Sequence, residues 1–338
     1  MIETHGRDGV ALLVGLVAAA LISACLIVVL RPLLQRYALA RPNARSSHAQ
    51  PTPQGAGIAV IVATLVIAVA LSAIKSLPIP LPLLGATLFI ATVGLVDDIK
   101  TIPVVPRLLF QALAIGAVLV TFPSALRIAP HWPIGLERGL LLIAGLWFVN
   151  LVNFMDGLDL MTVAEVVPIT STLSFLGWLG ELSPLPTIVA TALCGALLGF
   201  SPFNRPIAKV FLGDVGSLPI GLLLGWCLLQ LAFQHQFAAA LLLPLYYLAD
   251  STITLLRRIA KREPFWAAHR SHYYQLATDN GFTVKQIVAQ VFALNCVLAA
   301  LATATVALNS PLFNASALLA GTMAVAYLLL TLSRKRSD

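Results

Sequence analysis

Charge is what this sequence has least of. Asp, Glu, Lys and Arg together make up 10% of its 338 residues, against about 25% in soluble domains, which excludes a water-soluble globule. Low-complexity tracts, internal repeats and polar linkers are missing too, so a solenoid or a string of soluble modules is excluded and residues 1–338 read as one domain. Cysteine is scarce. Cys25, Cys194, Cys227 and Cys296 stand singly inside apolar runs, with neither the pairing of a disulfide framework nor the spacing of a thiolate metal site. The Leu-Ile-Ser-Ala-Cys25 stretch looks like a lipoprotein cleavage box, but Glu3 and Asp8 precede it and the apolar run continues to Leu30, which fits an uncleaved first span better. There is no Walker glycine loop and no dinucleotide fingerprint.

What is present is apolar surface. Hydrophobic residues make up 59% of the chain and the mean hydropathy is +0.92. Lipid admits such a chain as helices, which satisfy their own backbone polar groups. The polar interruptions delimit candidate spans near residues 10–30, 55–74, 79–96, 108–122, 139–152, 162–180, 186–200, 217–233, 237–256, 284–308 and 312–332. The expectation is an all-α polytopic bundle of about eleven spans. Of the 21 Lys and Arg residues, seventeen fall in one alternating set of loops, and Arg7, Lys75, Arg127 and Arg138 fall in the other. The positive-inside rule then puts the N-terminus outside and the C-terminus in the cytoplasm. The net charge of +7 is therefore read as topology rather than as a nucleic-acid surface.

The acids segregate as well. Asp97, Asp98, Asp156, Asp159, Asp214 and Asp250 fall at or just beyond expected cytoplasmic helix ends, while Glu3, Asp8, Glu137 and Glu181 are on the outer side. Four polar stretches stand out. GLVDDIK (94–100) ends an apolar run with paired carboxylates, which repel unless a cation, a proton or a basic group intervenes. In NLVNFMDGLD (150–159), Asn150, Asn153 and Asp156 recur every third residue and form one polar stripe if the helix continues. In FNRPIAKVFLGDVGS (203–217), Gly213 and Gly216 flank Asp214 and would let a bulky ligand approach the backbone. HRSHYYQ (269–275) places two imidazoles and a guanidinium in the most basic loop. Carboxylates, amides, glycines and cations on one membrane face suit phosphate chemistry with Mg²⁺, which takes one or two carboxylates and leaves its other positions to water and phosphate. Zinc fits less well, because His269 and His272 have no thiolate or third imidazole near them in sequence.

These motifs, with RSSHAQPTPQGAG (45–57) ahead of them, resemble the polyprenyl-phosphate N-acetylaminosugar-1-phosphate transferases of glycosyltransferase family 4, over roughly residues 30–285. That family includes the phospho-N-acetylmuramoyl-pentapeptide and undecaprenyl-phosphate GlcNAc-1-phosphate transferases. HRSHYYQ and the RSSH segment look most like the branch serving O-antigen and related polysaccharides. Two positions depart from the family pattern: the usual glycine triplet is Gly55-Ala56-Gly57 preceded by Gln54, and the usual Asp-Gly is Asp159-Leu160.

The resemblance implies a multi-pass enzyme of the bacterial inner membrane with a cytoplasmic active site. It would transfer an N-acetylaminosugar-1-phosphate from a UDP-sugar to undecaprenyl phosphate, alone or as a homodimer. It implies Mg²⁺, replaceable by Mn²⁺, on Asp214 and Asp156. Asp97 would be the base and Asp98 its electrostatic partner. Asn150 and Asn153 would orient phosphates, Asn204 and Phe211 would lie near uridine, and Arg45 and Thr52 would contact substrate. His269, Arg270 and His272 would hold the pyrophosphate. The rival reading is a transporter or flippase of a lipid-linked or anionic substrate. Such proteins place their sites near the midplane between inverted repeats, whereas these motifs gather at one surface.

Overall fold

The computed structural model describes residues 2–40, 51–264 and 269–336, so Arg45 of the first motif lies outside the described residues. The chain is a polytopic helical bundle. In order it forms α1 (Ile2–Tyr37), a two-residue β1 (Leu39–Ala40) and β2 (Thr52–Pro53), then α2 (Gly57–Ile74), α3 (Leu81–Ile99), α4 (Val104–Leu119), α5 (Ile134–Met155), α6 (Met161–Trp178) and α7 (Pro184–Phe200). There follow α8 (Asp214–Phe233), α9 (Phe237–Leu242), α10 (Leu245–Ala260), α11 (Tyr273–Asp279), α12 (Val284–Leu308) and α13 (Pro311–Ser333). Proline marks several starts: Pro103 and Pro133 cap α4 and α5, while Pro184 and Pro311 open α7 and α13. Its fixed φ suits a first turn, and its missing N–H would have no helical partner there.

All eleven expected spans fall on helix, but they are not equivalent. Eight segments among the described residues have the length and apolarity to cross a membrane: α1, α2, α3, α5, α7 with the turn that follows it, α8, α12 and α13. α4 is apolar but has 16 residues. α6 is diluted by Glu165, Pro168 and several hydroxyl side chains. The expected span at 237–256 is broken into α9 and α10, because Pro244 has no N–H to continue the ladder.

The two most enclosed helices, α7 and α8, organise the bundle. α7 packs on α1, α2 and α6, and α8 on α3, α5 and α2. Small residues allow the close approaches. A Cβ on Gly195 would lie 2.2 Å from the Leu16 carbonyl oxygen, and one on Gly199 2.1 Å from that of Ala20, so α1 and α7 touch backbone to backbone. β1 pairs antiparallel with β2, and Gln54 bridges in parallel to Phe211. These few bonds tie the first motif to the loop leading into α8.

Candidate active site

The amino end of α8 is where the motifs meet. Its first N–H groups have no helical partners, and Asp98, from the carboxyl end of α3, supplies the acceptors. Asp214 N donates to Asp98 Oδ1 at 2.9 Å and Val215 N donates to Asp98 Oδ2 at 3.1 Å, while Gln54 Nε2 also donates to Oδ1. Such closeness requires glycine. Gly213 sits at φ +77°, and a Cβ there would lie 2.5 Å from Asp98 Oδ2. A Cβ on Gly57 would lie 2.3 Å from Gly216 Cα, and one on Gly94 2.3 Å from the Asp214 carbonyl oxygen. The expected role of Gly213 and Gly216 is thereby corrected. Their bare backbones admit neighbouring helices, not a ligand.

Asp97 is held by Arg107 Nη1 at 2.8 Å and by the Ile102 N–H, and its carboxyl group is in hydrogen-bonding contact with that of Asp214. Asn153 Nδ2 donates to Asp214 Oδ1 at 2.7 Å and to Ser217 Oγ at 2.9 Å. Asp97, Asp98, Asp214 and Asn153 are thus assembled as one cluster. Asn150 is not part of it. Its amide donates to Gln111 Oε1 at 2.6 Å and to its own helix at Leu146. The single stripe expected of Asn150, Asn153 and Asp156 does not form, because α5 stops at Met155 and Asn150 faces α4.

Asp156 follows the end of α5 and accepts from Thr162 Oγ1. Burial, with the charges of Asp98 and Asp159 beside it, raises its carboxyl group to about 7 against the opposing Thr162 bond. Asp159 accepts from Ala208 N at 3.0 Å. Asn204 bridges the two loops, accepting from Leu160 N at 2.7 Å and donating to the Val210 carbonyl at 2.9 Å. Buried and bonded at both ends of its amide, it holds the two loops together. Leu160 stands at φ +63°, a conformation that favours glycine. Phe211 is half-buried and fixed through its backbone to Pro53, Gly55 and Ala56. Thr52 is buried in β2.

The histidine motif is an extended entry into α11. His272 is the N-cap residue and is buried, with its ring 5.0 Å from that of His269 and 6.3 Å from that of Phe154. Asp250 of α10 anchors it. This acid lies 3.3 Å from His272 Nδ1 and accepts from Tyr273 N at 3.0 Å and Tyr274 N at 3.2 Å. Tyr274 Oη donates to the Phe154 carbonyl at 2.8 Å, which docks α11 on the Asp156 loop. Burial, then His272 and Arg258, depress His269 to about 4, so its ring is neutral at pH 7. Arg270 is turned away from this group. Its Nη2 donates to Thr278 Oγ1 at 2.6 Å and pairs with Asp279 at 3.3 Å.

Below the carboxylates an apolar cavity of about 270 Å³ lies between α4, α5, α8 and α9, with Ile115, Phe148, Val149, Gly225 and Trp226 among its walls. Arg107, Gln111 and Ile115 descend one face of α4 at four-residue steps, each about 6 Å along the axis. Charge, amide and hydrocarbon thus follow one another into the membrane. Arg107 reads in the sequence as one more loop cation, and neither Gln111 nor Ser217 stands out from its apolar surroundings. Asp250 stands in the sequence at a helix end, and no spacing signal ties it to a motif 22 residues away.

This convergence coincides with a family match. The profile of glycosyl transferase family 4 matches residues 80–232. That stretch, a little under half of the chain, is similar to the family. Among its relatives, the decaprenyl-phosphate N-acetylglucosaminephosphotransferase of Mycolicibacterium smegmatis is 32% identical over 213 residues, 56% of this chain and 52% of that protein. The aligned part thus spans about half the length of that relative. The probable undecaprenyl-phosphate N-acetylglucosaminyl 1-phosphate transferase of Bacillus subtilis is 22% identical over 314 residues, 83% of this chain and 82% of that protein. The phospho-N-acetylmuramoyl-pentapeptide-transferase of Enterococcus faecalis is 32% identical over 142 residues, 39% of this chain and 43% of that protein. The family match contains Asp97, Asp98, Asp156 and Asp214 but stops short of the histidine motif.

Proposed function

We propose that this protein transfers an N-acetylaminosugar-1-phosphate from a UDP-sugar to undecaprenyl phosphate, releasing UMP. The observation that carries the reading is the meeting of Asp97, Asp98 and Asp214 at the amino end of α8, above a cavity lined with hydrocarbon. Cavity and cluster match the two halves of a lipid phosphate. The relatives' names, which specify polyprenyl phosphates and N-acetylated sugars, support the same chemistry. We further propose an inner-membrane enzyme whose motif face is cytoplasmic, from the loop charges, and a role in starting a surface polysaccharide such as O-antigen, from the HRSHYYQ resemblance.

A lipid-phosphate oxygen attacks the phosphorus that carries the sugar. That P–O bond forms as the bond to the bridging oxygen breaks, and UMP leaves with the electron pair, the sugar–phosphate bond staying intact. Asp97, steadied by Arg107 and the Ile102 N–H, accepts the proton of any protonated lipid phosphate. Because a phosphomonoester is mostly dianionic at pH 7, positioning matters more than proton removal. The α4 face from Arg107 to Ile115 orients the lipid, head toward Asp97 and tail into the cavity. His269 and His272, fixed by Ser271 and Asp250, face the pyrophosphate.

The donor set suits Mg²⁺, with Mn²⁺ as substitute. The oxygens are hard, and the contact between the carboxyl groups of Asp97 and Asp214 calls for positive charge or a proton. Among the described residues, no three carboxylates, imidazoles or thiolates form a ready metal cage. Asp214 and Asp156 would hold it, and when bound it supplies charge neutralisation at the pyrophosphate.

The test is release of UMP by purified protein given a UDP-N-acetylaminosugar, undecaprenyl phosphate and Mg²⁺, with Asp214→Asn as control. Movement of a preformed lipid-linked sugar across vesicles without any UMP would overturn the reading in favour of a flippase.

A further inference from the structure

Glu165 lies in the second turn of α6, between Ala164 and Val166, and is fully buried. Its partners come from two other helices. Asn295 of α12 donates through Nδ2 to Glu165 Oε2 at 2.5 Å and to the Ala164 carbonyl at 3.0 Å. Tyr247 N donates to Glu165 Oε1 at 3.4 Å. Tyr247 is the third residue of α10, whose N-cap position is Pro244. An N-cap side chain ordinarily accepts from this N–H, and proline has no acceptor to offer. The break after α9 leaves a helix amino end inside the bundle, where unsatisfied N–H groups are costly, and Glu165 supplies the missing cap from another helix.

α10 then carries the effect onward. One turn past Tyr247 is Asp250, also fully buried, which accepts from Tyr246 Oη, Thr254 Oγ1 and the first two N–H groups of α11, and touches His272 Nδ1. Two carboxylates therefore act in series, Glu165 holding the amino end of α10 and Asp250, on α10, holding the amino end of α11. We propose that Glu165 is a positioning residue for the histidine motif, setting His272 through α10 without touching substrate. The kinetic part of this proposal rests on the transferase reading above; the structural part does not.

The experiment compares wild type, Glu165→Gln, Glu165→Leu and Asn295→Ala in nanodiscs, by amide hydrogen exchange and by UMP release from UDP-GlcNAc and undecaprenyl phosphate. Glu165→Leu should speed exchange at least tenfold in residues 245–250 and in 272–276. It should raise KM for the UDP-sugar at least tenfold while KM for the lipid stays within twofold, a split that general loosening would not produce. Glu165→Gln keeps an acceptor for Tyr247 N and should return both readouts to within threefold of wild type. Asn295→Ala, which removes one donor and keeps the acid, should fall between them and serves if the leucine variant does not fold. Combined with His272→Ala, Glu165→Leu should add little, since both act on one group. Faster exchange confined to 245–250, or full additivity with His272→Ala, would overturn the coupling. A wild type that releases no UMP would sink the transferase reading and leave the exchange comparison to decide the role of Glu165.

Discussion

Asp98 caps the helix that begins with Asp214. One acid accepts the backbone N–H of the other at 2.9 Å and that of Val215 at 3.1 Å, so a carboxylate of α3 sits on the positive end of the α8 dipole. Asp250 does the same for α11 with Tyr273 and Tyr274. In both places an acid that reads in the sequence as a chemical group is also what holds a motif in position. Folding and chemistry make different demands of such acids, and substitutions can separate them.

Asp214→Asn should abolish UMP release while leaving thermal stability unchanged or raised. Its carboxyl group lies against that of Asp97 and near Asp98, and neutralising it relieves like-charge repulsion as it removes the expected metal ligand. Asp98→Ala should lose both, because two N–H groups at the start of α8 lose their acceptors, at about 1–2 kcal/mol for a lost cap. Melting curves in detergent alongside the UMP assay check the contrast; equal loss of stability in both variants would argue against it.

Gly216→Ala and Gly57→Ala should each damage folding and activity together. A Cβ on Gly216 would come within 2.7 Å of Gly57 Cα and the Leu212 side chain, and one on Gly57 within 2.3 Å of Gly216 Cα. Overpacking of this kind costs about 1–3 kcal/mol, and here it moves the helix that carries Asp214. Gly139, with nothing near its Cβ position, should accept alanine without loss of melting temperature or rate.

The bundle and its polar end were legible because long apolar runs leave their few charges conspicuous. GLVDDIK, NFMDG and FLGDVGS all reach one cluster. The rest depended on contacts that spacing does not encode. Steps of three residues turn a helix by about 60° short of a full circle, so Asn150 and Asn153 diverge, one to Gln111 on α4 and the other to Asp214. The glycines beside Asp214 would read alike whether a ligand or Gly57 occupied the space. Glu165 is hidden in an apolar run, and Asn295, its partner, is 130 residues away.

The depressed basicity of His269 predicts a pH dependence of stability. Its folded value of about 4 lies below the ordinary 6.5, so between these values the unfolded chain binds more protons than the folded one. By linkage, the stability it contributes is fully present above pH 6.5 and is lost as pH falls from there toward 4. The half-exposed ring makes the effect modest. Melting temperature should fall over that range more steeply in wild type than in His269→Gln, and parallel curves would contradict the assignment.

Arg270 gives the sharpest contrast between sequence and structure. Read as one of three pyrophosphate donors, it should not tolerate lysine, which loses the planar fork that binds two oxygens together. The structure instead directs its Nη2 to Thr278 Oγ1 at 2.6 Å and Asp279 at 3.3 Å, near the carboxyl end of α11, where either cation favours the helix dipole. Lysine can reach the same acid with a single donor, and the exposed Asp279 pair contributes about 1 kcal/mol at most. Arg270→Lys should therefore keep kcat/KM for the UDP-sugar within about threefold of wild type. His272→Ala, which removes the N-cap side chain against Asp250, should lower it at least tenfold, roughly 1.4 kcal/mol of transition-state stabilisation. Asp279→Asn separates the readings further. It should be nearly silent if Arg270 only steadies α11, whereas a guanidinium freed toward the pyrophosphate would lower KM for the UDP-sugar, and that result would restore Arg270 to the substrate site.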